Sequence, residues 1–372
     1  MKFLGFGRGA MLKIYGVKVS YFTGKMEAYL RMKEIPFRYC SITMTQFEKT
    51  FPKILGAQQI PVIELDDGQF ITDTSPMIDW FEDKYSQQPI LPSNAAMAFF
   101  ARLIEDYADE YLWRSAMHYR WSYRESGDLL CRQLVNEAAD DLHLPKWIKN
   151  RMMYRRQLST FVKGDGVTPH TWAHVEDAYL GLLKILDPIF AQRAFLFGAR
   201  PCLADVGLMG PLLRHFSMDP VPSKIMREEA PQVMEWVMRV WNAKLSELPG
   251  DLPDTLPDDL KPLIRQIGET HLAALNANAD ATIAGQKTHN VVLQGTQYEK
   301  LPSSHYRVWC LTELHRHFAN LIGEDKAHVE AILEETGALG QLTAKTGLTS
   351  DYNKHGQIPF GSNSLAVFPH FK

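Results

Sequence analysis

The stretch from Gln58 to Phe81 constrains the fold more than any other part of the chain, because it contains the signals of a hairpin followed by a helix. Two short apolar runs, Val62–Leu65 and Gln69–Ile71, flank an Asp67-Gly68 pair. This dipeptide favours a type I′ turn, since aspartate and glycine tolerate the positive φ angles that the turn needs. The sequence therefore predicts strand, tight turn, strand and helix.

The start of this helix has the chemistry of a small amino-acid receptor. Ser75 and Pro76 are predicted as its N-cap and first helical residue, and Pro61 opens the first strand at an edge or through a cis bond. Free helix N–H groups and the helix dipole favour a carboxylate close to Thr74, whose hydroxyl adds a donor. Asp73 can hold an ammonium group. An ordinary capped helix after a hairpin is the alternative that these residues leave open.

The preceding segment is typical of strand, helix and strand. Leu12–Val17 is an apolar run suited to a buried strand, and Phe37–Ile42 alternates like a second strand. The helix between them ends at Ile35-Pro36, because a residue before proline disfavours the helical region. Its apolar stripe consists of Met26, Tyr29 and Leu30. Strand, helix, strand, hairpin and helix is the order of a thioredoxin-like α/β domain.

These motifs resemble the glutathione S-transferase family. The Gln-Ile-Pro-Val motif followed by Asp-Thr and an apolar helix is similar to that family's cis-proline loop and its glutathione-binding pair. The resemblance implies that Pro61 is cis, that the backbone of Val62 binds the cysteinyl part of glutathione, and that Asp73 and Thr74 bind its γ-glutamyl end. The implied binding residues for glutathione, the co-substrate, are Gln59, Ile60, Pro61, Val62, Asp73 and Thr74.

The loop after the first strand is where the resembled family keeps its catalytic hydroxyl or thiol. Counting back from Ile35-Pro36 along a helix of the family's usual length puts Ser20 in the catalytic position, and Tyr21 and Tyr15 are the other candidates. A hydroxyl donor near the glutathione sulfur stabilises the thiolate and lowers the thiol pKa from its free value of about 8.5. The loop lacks the proline that many members carry after the catalytic residue, so a binding protein without turnover stays open.

The segment after residue 94 is helical in pattern and rich in aromatic residues. Such rings most often belong to the core, but in the resembled family this helix borders the dimer interface and the open site for the electrophile. The implied contacts of a hydrophobic second substrate are Tyr111, Trp113 and Met117. Glu105, Asp106 and Asp109 are predicted to be solvated, with an alternative in which Asp106 reaches the glutathione amine of a partner subunit.

Two further matches extend the resemblance. Phe195–Gly210 is similar to a buried helix start of the family's all-helical domain. There Asp205 returns a hydrogen bond to the capping residue, and Cys202 stands in place of the usual hydroxyl. Met226–Val237 resembles the next helix, so the resemblance covers roughly residues 12–245.

Composition argues against several function classes without excluding them. The chain has 372 residues, 45% of them hydrophobic, which favours two or more domains with sizeable cores. A net charge of −3 gives no general case for nucleic acid or an anionic membrane, and the basic run 146–156 is interpreted as a solvated helix face. The four cysteines lie far apart, so we expect reduced thiols. His170 and His174 lack a third ligand at a metal-binding spacing.

No apolar stretch approaches the ~20 residues of a membrane span, and the patch in residues 1–10 is too short for a signal peptide. We therefore expect a soluble, cytoplasmic protein. The predicted divisions are an N-terminal extension (1–11), a thioredoxin-like glutathione-binding domain (12–93), an all-α domain (94–247) and an α-rich C-terminal extension (248–372).

The function implied by the resemblance is that of a dimeric glutathione transferase in detoxification. Its glutathione thiolate would attack a hydrophobic, aromatic electrophile, giving a conjugate or cleaving a bond to a leaving group. Two alternatives stay open. One is a non-catalytic, glutathione-dependent ligand carrier, and the other is an interaction protein whose extension binds a partner.

Overall fold

The computed structural model describes residues 11–248, 250–345, 347–353 and 355–361. Nearly all of the predicted N-terminal extension, residues 1–10, lies outside the described residues. The strands are β1 (Leu12–Gly16), β2 (Phe37–Ser41), β3 (Val62–Glu64), β4 (Phe70–Thr72), β5 (Thr288–Leu293) and β6 (Thr296–Pro302).

Helices fill most of the remaining described chain. They are α1 (Tyr21–Met32), α2 (Phe51–Leu55), α3 (Thr74–Lys84), α4 (Ala95–Glu110), α5 (Leu112–Trp121), α6 (Arg124–Ala138), α7 (Lys146–Gln157), α8 (Trp172–Gln192), α9 (Leu203–Pro211), α10 (Pro220–Glu229), α11 (Pro231–Asn242), α12 (Lys261–Ile267), α13 (Ala273–Ile283), α14 (His305–Ala319), α15 (Gly323–Glu335) and α16 (Leu339–Leu342). Short π-helical segments adjoin some of these helices: Gln46–Thr50 before α2, Leu158–Val162 after α7, Leu212–Phe216 after α9 and Gly268–Leu272 between α12 and α13.

The first domain is the predicted thioredoxin-like unit. Its sheet has the order β2-β1-β3-β4, in which β1 and β2 are parallel and the other pairs are antiparallel. Ile14 lies opposite Ile63, and Ile63 lies opposite Ile71, so one buried isoleucine from each of three strands enters the core. The helical segment 46–55 between β2 and β3 was not predicted.

The hairpin between β3 and β4 forms, but the predicted turn type is wrong. Gly68 has a φ of 85°, whereas Asp67 is not among the described residues with positive φ. Leu65 N donates to Gln69 O at 2.8 Å, and Gly68 N donates to Leu65 O at 3.1 Å. The loop between Leu65 and Gln69 is therefore one residue longer than a type I′ loop, and Gly68 takes its left-handed position.

Helices α4 and α9 pack closely on each other within the all-helical domain. A Cβ atom on Gly207 of α9 would lie 2.7 Å from the Cα atom of Glu105 in α4, so only glycine permits this approach. The predicted capping role of Asp205 is confirmed, since its carboxylate accepts from Cys202 N at 3.0 Å and from Leu196 N at 2.9 Å. Trp236 Nε1 also donates to it, at 3.0 Å. These bonds fix the buried start of α9.

A buried ammonium group joins α1 to α4. Lys25 is 0% exposed, and its Nζ lies 2.5 Å from carboxylate oxygens of both Glu105 and Asp109. Ser75 of α3 donates to the same Glu105 oxygen at 2.5 Å. Burial lowers the pKa of Lys25, but the carboxylates of Asp109 and Glu105 together raise it above its ordinary value. The prediction that Glu105 and Asp109 are solvated is therefore wrong.

The C-terminal extension packs against the outer side of α4. His271 lies 2.6 Å from Asp106, Arg307 Nε lies 3.3 Å from Glu110, and the rings of Phe99 and Phe318 are 5.7 Å apart. Asp106 is therefore paired with a histidine of the same chain rather than simply solvated, and its contact with a partner subunit stays a prediction.

The last described segment, residues 347–353 and 355–361, returns to the first domain and is called the arm below. Pro359 O accepts from Thr72 N at 3.0 Å at the end of β4, and the rings of Phe360 and Trp80 are 5.9 Å apart. Within the described ranges, no helix is both long and apolar enough to span a membrane.

We expect Lys25→Met to lower the free energy of unfolding by about 3–5 kcal/mol, because it leaves two buried carboxylates without their cation. Urea denaturation would measure this loss. Lys244→Met removes an exposed i,i+3 ion pair with Glu247, which solvent screens, and should change the free energy of unfolding far less. Equal effects of the two substitutions would contradict the structural role of Lys25.

Candidate functional site

Ser20 lies at the N-terminal end of α1 and caps it. Its backbone is extended, with φ −74° and ψ 137°, and its Oγ accepts from Thr23 N at 3.3 Å. Helix N-termini carry free N–H groups and partial positive charge. The hydroxyl is therefore placed where a developing anion would be stabilised.

The cis-proline loop and the start of α3 form the wall opposite Ser20. The Ile60–Pro61 peptide bond is cis. Asp73, with a φ of 76°, is the residue before α3, and Thr74 is its first residue. The prediction that Ser75 caps α3 is wrong, because Ser75 lies within the first turn and donates to Glu105.

One cavity of about 210 Å³ joins these elements. Its polar wall contains Ser20, Gln58, Gln59, Asp73, Thr74, Asp109 and Glu110. Its apolar and aromatic wall contains Phe22, Ile60, Phe47, Trp113, Met117, Met153 and Phe161, whereas Tyr306 lies beside Asp73 at the polar end. Polar recognition groups at one end and aromatic rings at the other suit a ligand pair of mixed character.

Stacked rings build the apolar end. Phe22 and Trp113 stack at 5.6 Å with an interplanar angle of 17°, and Phe161 meets Trp113 edge-on at 5.5 Å. Met117 follows Trp113 by four residues on α5, so both face the same side of that helix. A planar apolar ligand would find extended contact area between these groups.

Asp73 is the centre of the polar end. It is 8% exposed, and two tyrosines of the C-terminal extension donate to its carboxylate. Tyr352 Oη lies 2.7 Å from Oδ2, and Tyr306 Oη lies 3.4 Å from Oδ1. Burial raises the pKa of Asp73 to about 7, although the Tyr352 hydroxyl and the Lys25 ammonium oppose the shift.

The two tyrosine candidates for catalysis have their hydroxyls elsewhere. Tyr21 contributes its ring to the cavity wall, but its hydroxyl donates to Ala108 O at 2.5 Å, and burial raises its pKa well above the ordinary value. Tyr15 donates to Glu64 at 2.7 Å, outside the cavity, and burial together with this bond raises its pKa to about 12. Of the three predicted hydroxyls, the geometry favours that of Ser20.

Two other predicted site residues are placed differently from expectation. Val62 lies in the central strand β3, opposite Tyr15 and Thr72, where sheet pairing occupies its backbone groups. Ile60, two residues earlier, lines the cavity instead, beside Gln59, while Pro61 begins the turn into β3. Tyr111 stacks on Tyr107 at 5.5 Å and is absent from the cavity wall.

Sequence reasoning missed several groups of this wall. Phe22 was not among the predicted site residues, although it follows Ser20 by two residues and lies in the first turn of α1. Arg156 was assigned to a solvated face, but it lines the cavity and burial lowers its pKa. Tyr306 lies in the extension, where no local pattern marks it as a site residue.

Two family models match the chain. Residues 14–89 match the model described as the N-terminal domain of glutathione S-transferase, and residues 171–243 match its C-terminal domain. These ranges correspond to the thioredoxin-like domain and to helices α8–α11. No curated protein matches the chain.

Several solved structures are similar to this one. A glutathione S-transferase from Rhodospirillum rubrum F11 is 19% identical, with 68% of this chain and 92% of that chain covered and a TM-score of 0.43. A beta-etherase from Sphingobium sp. strain SYK-6 is 16% identical, with 62% of this chain and 95% of that chain covered and a TM-score of 0.43. A GST-like protein from Pseudomonas syringae is 17% identical, with 67% and 77% covered and a TM-score of 0.43.

We expect Asp73→Asn to stabilise the protein more at pH 8 than at pH 4.5. The folded-state pKa of Asp73 is raised to about 7, above an unfolded value of about 3.9, so the wild type loses stability as pH rises between these values. Asparagine does not ionise, so the variant avoids the loss of roughly 3 kcal/mol in the free energy of unfolding that the wild type undergoes between pH 4.5 and pH 8.

Urea denaturation of both proteins at the two pH values measures the difference. Asp67→Asn, on the exposed hairpin turn, is the control and should show no gain at pH 8, because hydrogen bonds from Gln69 lower the pKa of Asp67. A stability difference between Asp73→Asn and the wild type that does not change with pH would contradict the raised pKa.

Proposed function

Since the chain belongs to the glutathione S-transferase family, we propose that it is a glutathione transferase. Asp73 and Thr74 would hold the γ-glutamyl end of glutathione, and the backbone of Ile60 would hold its cysteinyl part. Ser20 would stabilise the sulfur as a thiolate. The second substrate would lie against the stacked rings at the apolar end of the cavity.

The main support for this proposal is that one cavity contains both the start of α3 and the stacked aromatic rings. Ser20 lies in its wall together with Thr74 and Trp113, so a ligand bound at the start of α3 can extend past Ser20 towards the rings. A nucleophile and its electrophile must be held together for reaction, and a shared cavity provides that proximity. The geometry thus supports transfer rather than binding of glutathione alone.

The proposed chemistry at Ser20 is donation of a hydrogen bond. The bond from Thr23 N uses a lone pair of Oγ, which leaves the hydroxyl hydrogen for a ligand sulfur. Glutathione loses its thiol proton to solvent, and the thiolate attacks an electrophilic carbon to form the C–S bond. A leaving group, where present, departs with the electron pair of the broken bond. A preorganised donor to such a charge typically contributes roughly 3 kcal/mol.

The apolar end favours a hydrophobic, aromatic electrophile. The ring centroids of Phe22 and Phe161 lie 5.6 Å and 5.5 Å from that of Trp113, so the three rings offer both faces and edges. Met117 and Met153 add adaptable surface to the same wall. Arg156 in the same wall adds a cation. An aromatic ring bearing an electron-rich substituent would use both kinds of contact.

The homodimer, the cytoplasmic location and the role in detoxification stay predictions. In this chain, α14 and α15 of the extension pack against α4, where the resemblance placed the partner subunit. A dimer of this chain would therefore have to use a different surface. Analytical ultracentrifugation of the purified protein would decide between monomer and dimer.

We expect Asp73→Ala combined with Thr74→Ala to abolish measurable glutathione binding, because it removes the carboxylate and the hydroxyl at the start of α3. Isothermal titration calorimetry with glutathione up to millimolar concentration would test this. Full affinity of the double variant would contradict the assigned γ-glutamyl site, and an absence of binding by the wild type would contradict the proposed function itself.

We expect Ser20→Ala to lower kcat by two to three orders of magnitude while the Kd for glutathione changes little, because the donor acts on the thiolate. The pKa of bound glutathione, followed by thiolate absorbance, should rise. Ser20→Thr keeps the hydroxyl and should retain activity.

A control separates capping from catalysis. Asn94 caps α4, because its side chain accepts a hydrogen bond from Met97 N at 2.9 Å. Asn94→Ala removes this cap, and Asn94 does not line the cavity. It should cost about 1 kcal/mol of stability and leave kcat unchanged. If Ser20→Ala keeps activity and Tyr21→Phe or Tyr15→Phe loses it, the assignment of the catalytic hydroxyl is wrong.

If the purified protein binds glutathione and an aromatic ligand but converts neither, the ligand-carrier alternative replaces the transferase. A screen of aromatic electrophiles, with consumption of glutathione as the readout, makes this distinction and identifies the substrate class.

A further inference from the structure

The C-terminal extension reaches the polar end of the cavity, although it lies outside the residues that the family models match. Tyr306 belongs to α14 and lines the cavity, and Tyr352 belongs to the arm. The family models end at residue 243, so neither tyrosine belongs to the matched domains.

Both hydroxyls donate to the same carboxylate. Tyr352 Oη lies 2.7 Å from one oxygen of Asp73, and Tyr306 Oη lies 3.4 Å from the other. A carboxylate has about four acceptor sites, so these two bonds leave lone pairs of Asp73 for a ligand. Tyrosine hydroxyls that donate to a carboxylate favour its charged form.

Packing fixes the two tyrosines in place. Their rings meet edge-on at 4.7 Å, and Trp309 lies 5.3 Å from Tyr352. Ser350 Oγ donates to His305 O at 2.6 Å and accepts from Tyr352 N at 3.2 Å, which ties the arm to the start of α14. Tyr352 is 1% exposed, so its hydroxyl has little freedom to turn away from Asp73.

The surroundings of Asp73 suit a cationic group. Asp109 lines the same cavity, and its buried Oδ1 has no hydrogen-bond partner in the part of the chain that the structure describes. Glu110 also contributes to this wall. An ammonium group bound to Asp73 would therefore meet further carboxylates and the ring of Tyr306.

We propose that Tyr306 and Tyr352 complete the γ-glutamyl end of the site by orienting Asp73 and holding it ionised to receive the ammonium group of glutathione. This inference rests on the proposed function. The tyrosines act through Asp73 and are positioning residues. The extension is then part of the ligand site, and the first domain alone carries an incomplete one.

The inference predicts a specific dependence on pH. Asp73 binds an ammonium group only when ionised, and burial already raises its pKa to about 7. Loss of a hydroxyl donor raises that pKa further, so binding weakens near neutral pH and recovers as pH increases. The charged and titratable groups around Asp73 are Lys25 of α1, Glu105 and Glu110 of α4, Tyr306 and the Cys310 thiol of α14 and Tyr352 of the arm, with Asp109 of α4 in the same cavity wall.

The test is calorimetric titration of the full-length chain with glutathione between pH 6 and 8.5. We expect Tyr352→Phe to weaken binding about tenfold at pH 7 and to move the midpoint of the pH dependence upward by about one unit. Tyr306→Phe should act in the same direction with a smaller effect, since its bond is longer. A merely structural loss would weaken binding equally at every pH.

Tyr29→Phe is the matched control. Tyr29 is also fully buried and donates to a carboxylate, that of Glu82, at 2.8 Å, but it lies outside the cavity wall. It should leave both the affinity and its pH midpoint unchanged. Thermal unfolding of each variant checks that the fold is retained.

The outcomes separate the two proposals. If the wild type binds glutathione and both tyrosine variants bind it with unchanged affinity and pH midpoint, the inference is overturned while the proposed function stands. Tighter binding by Tyr352→Phe would also overturn it, because the arm would then obstruct the site. If the wild type binds no glutathione, both proposals fall.

Discussion

The buried ammonium of Lys25 is the interaction on which the arrangement of the site depends. Two carboxylates of α4 contact it, and α1, which carries Ser20 at its start, is thereby held against the helical domain. Buried ion pairs of this kind contribute little net stability, because desolvation offsets most of the attraction. Their effect here is on register, since any sliding of α1 along α4 would leave a charge buried without its partner.

The same helix α4 connects the polar end of the cavity to the extension. Its Glu105 and Asp109 contact Lys25, its Asp109 and Glu110 line the cavity, and its Asp106 and Glu110 contact His271 and Arg307 of the extension. The site therefore lies among three parts of the chain: the thioredoxin-like domain, the helical domain and the extension. Only the first two correspond to the matched family models.

The local features of the fold could be predicted from the sequence, and the long-range ones could not. The strands, the end of α1 shortly before Ile35-Pro36 and the cap at Asp205 follow from neighbouring residues, although α1 ends at Met32, three residues earlier than predicted. Glu105 and Asp109 were placed in solvent because helical periodicity marks a polar face without showing whether a distant lysine covers it. The resemblance grouped Tyr111 with Trp113, yet Tyr111 lies between α4 and α5 and stacks on Tyr107, a contact that the sequence does not indicate.

The hydrogen bond between Tyr352 and Asp73 joins residues 279 positions apart. During synthesis the N-terminal domain can fold long before the arm leaves the ribosome, since domains fold as units from the N-terminus onward. Asp73 is then a carboxylate at an open, hydrated helix start. Its burial, and with it the raised pKa of its carboxyl group, is acquired only when residues 347–353 dock, so this end of the candidate site forms later than the sheet beside it.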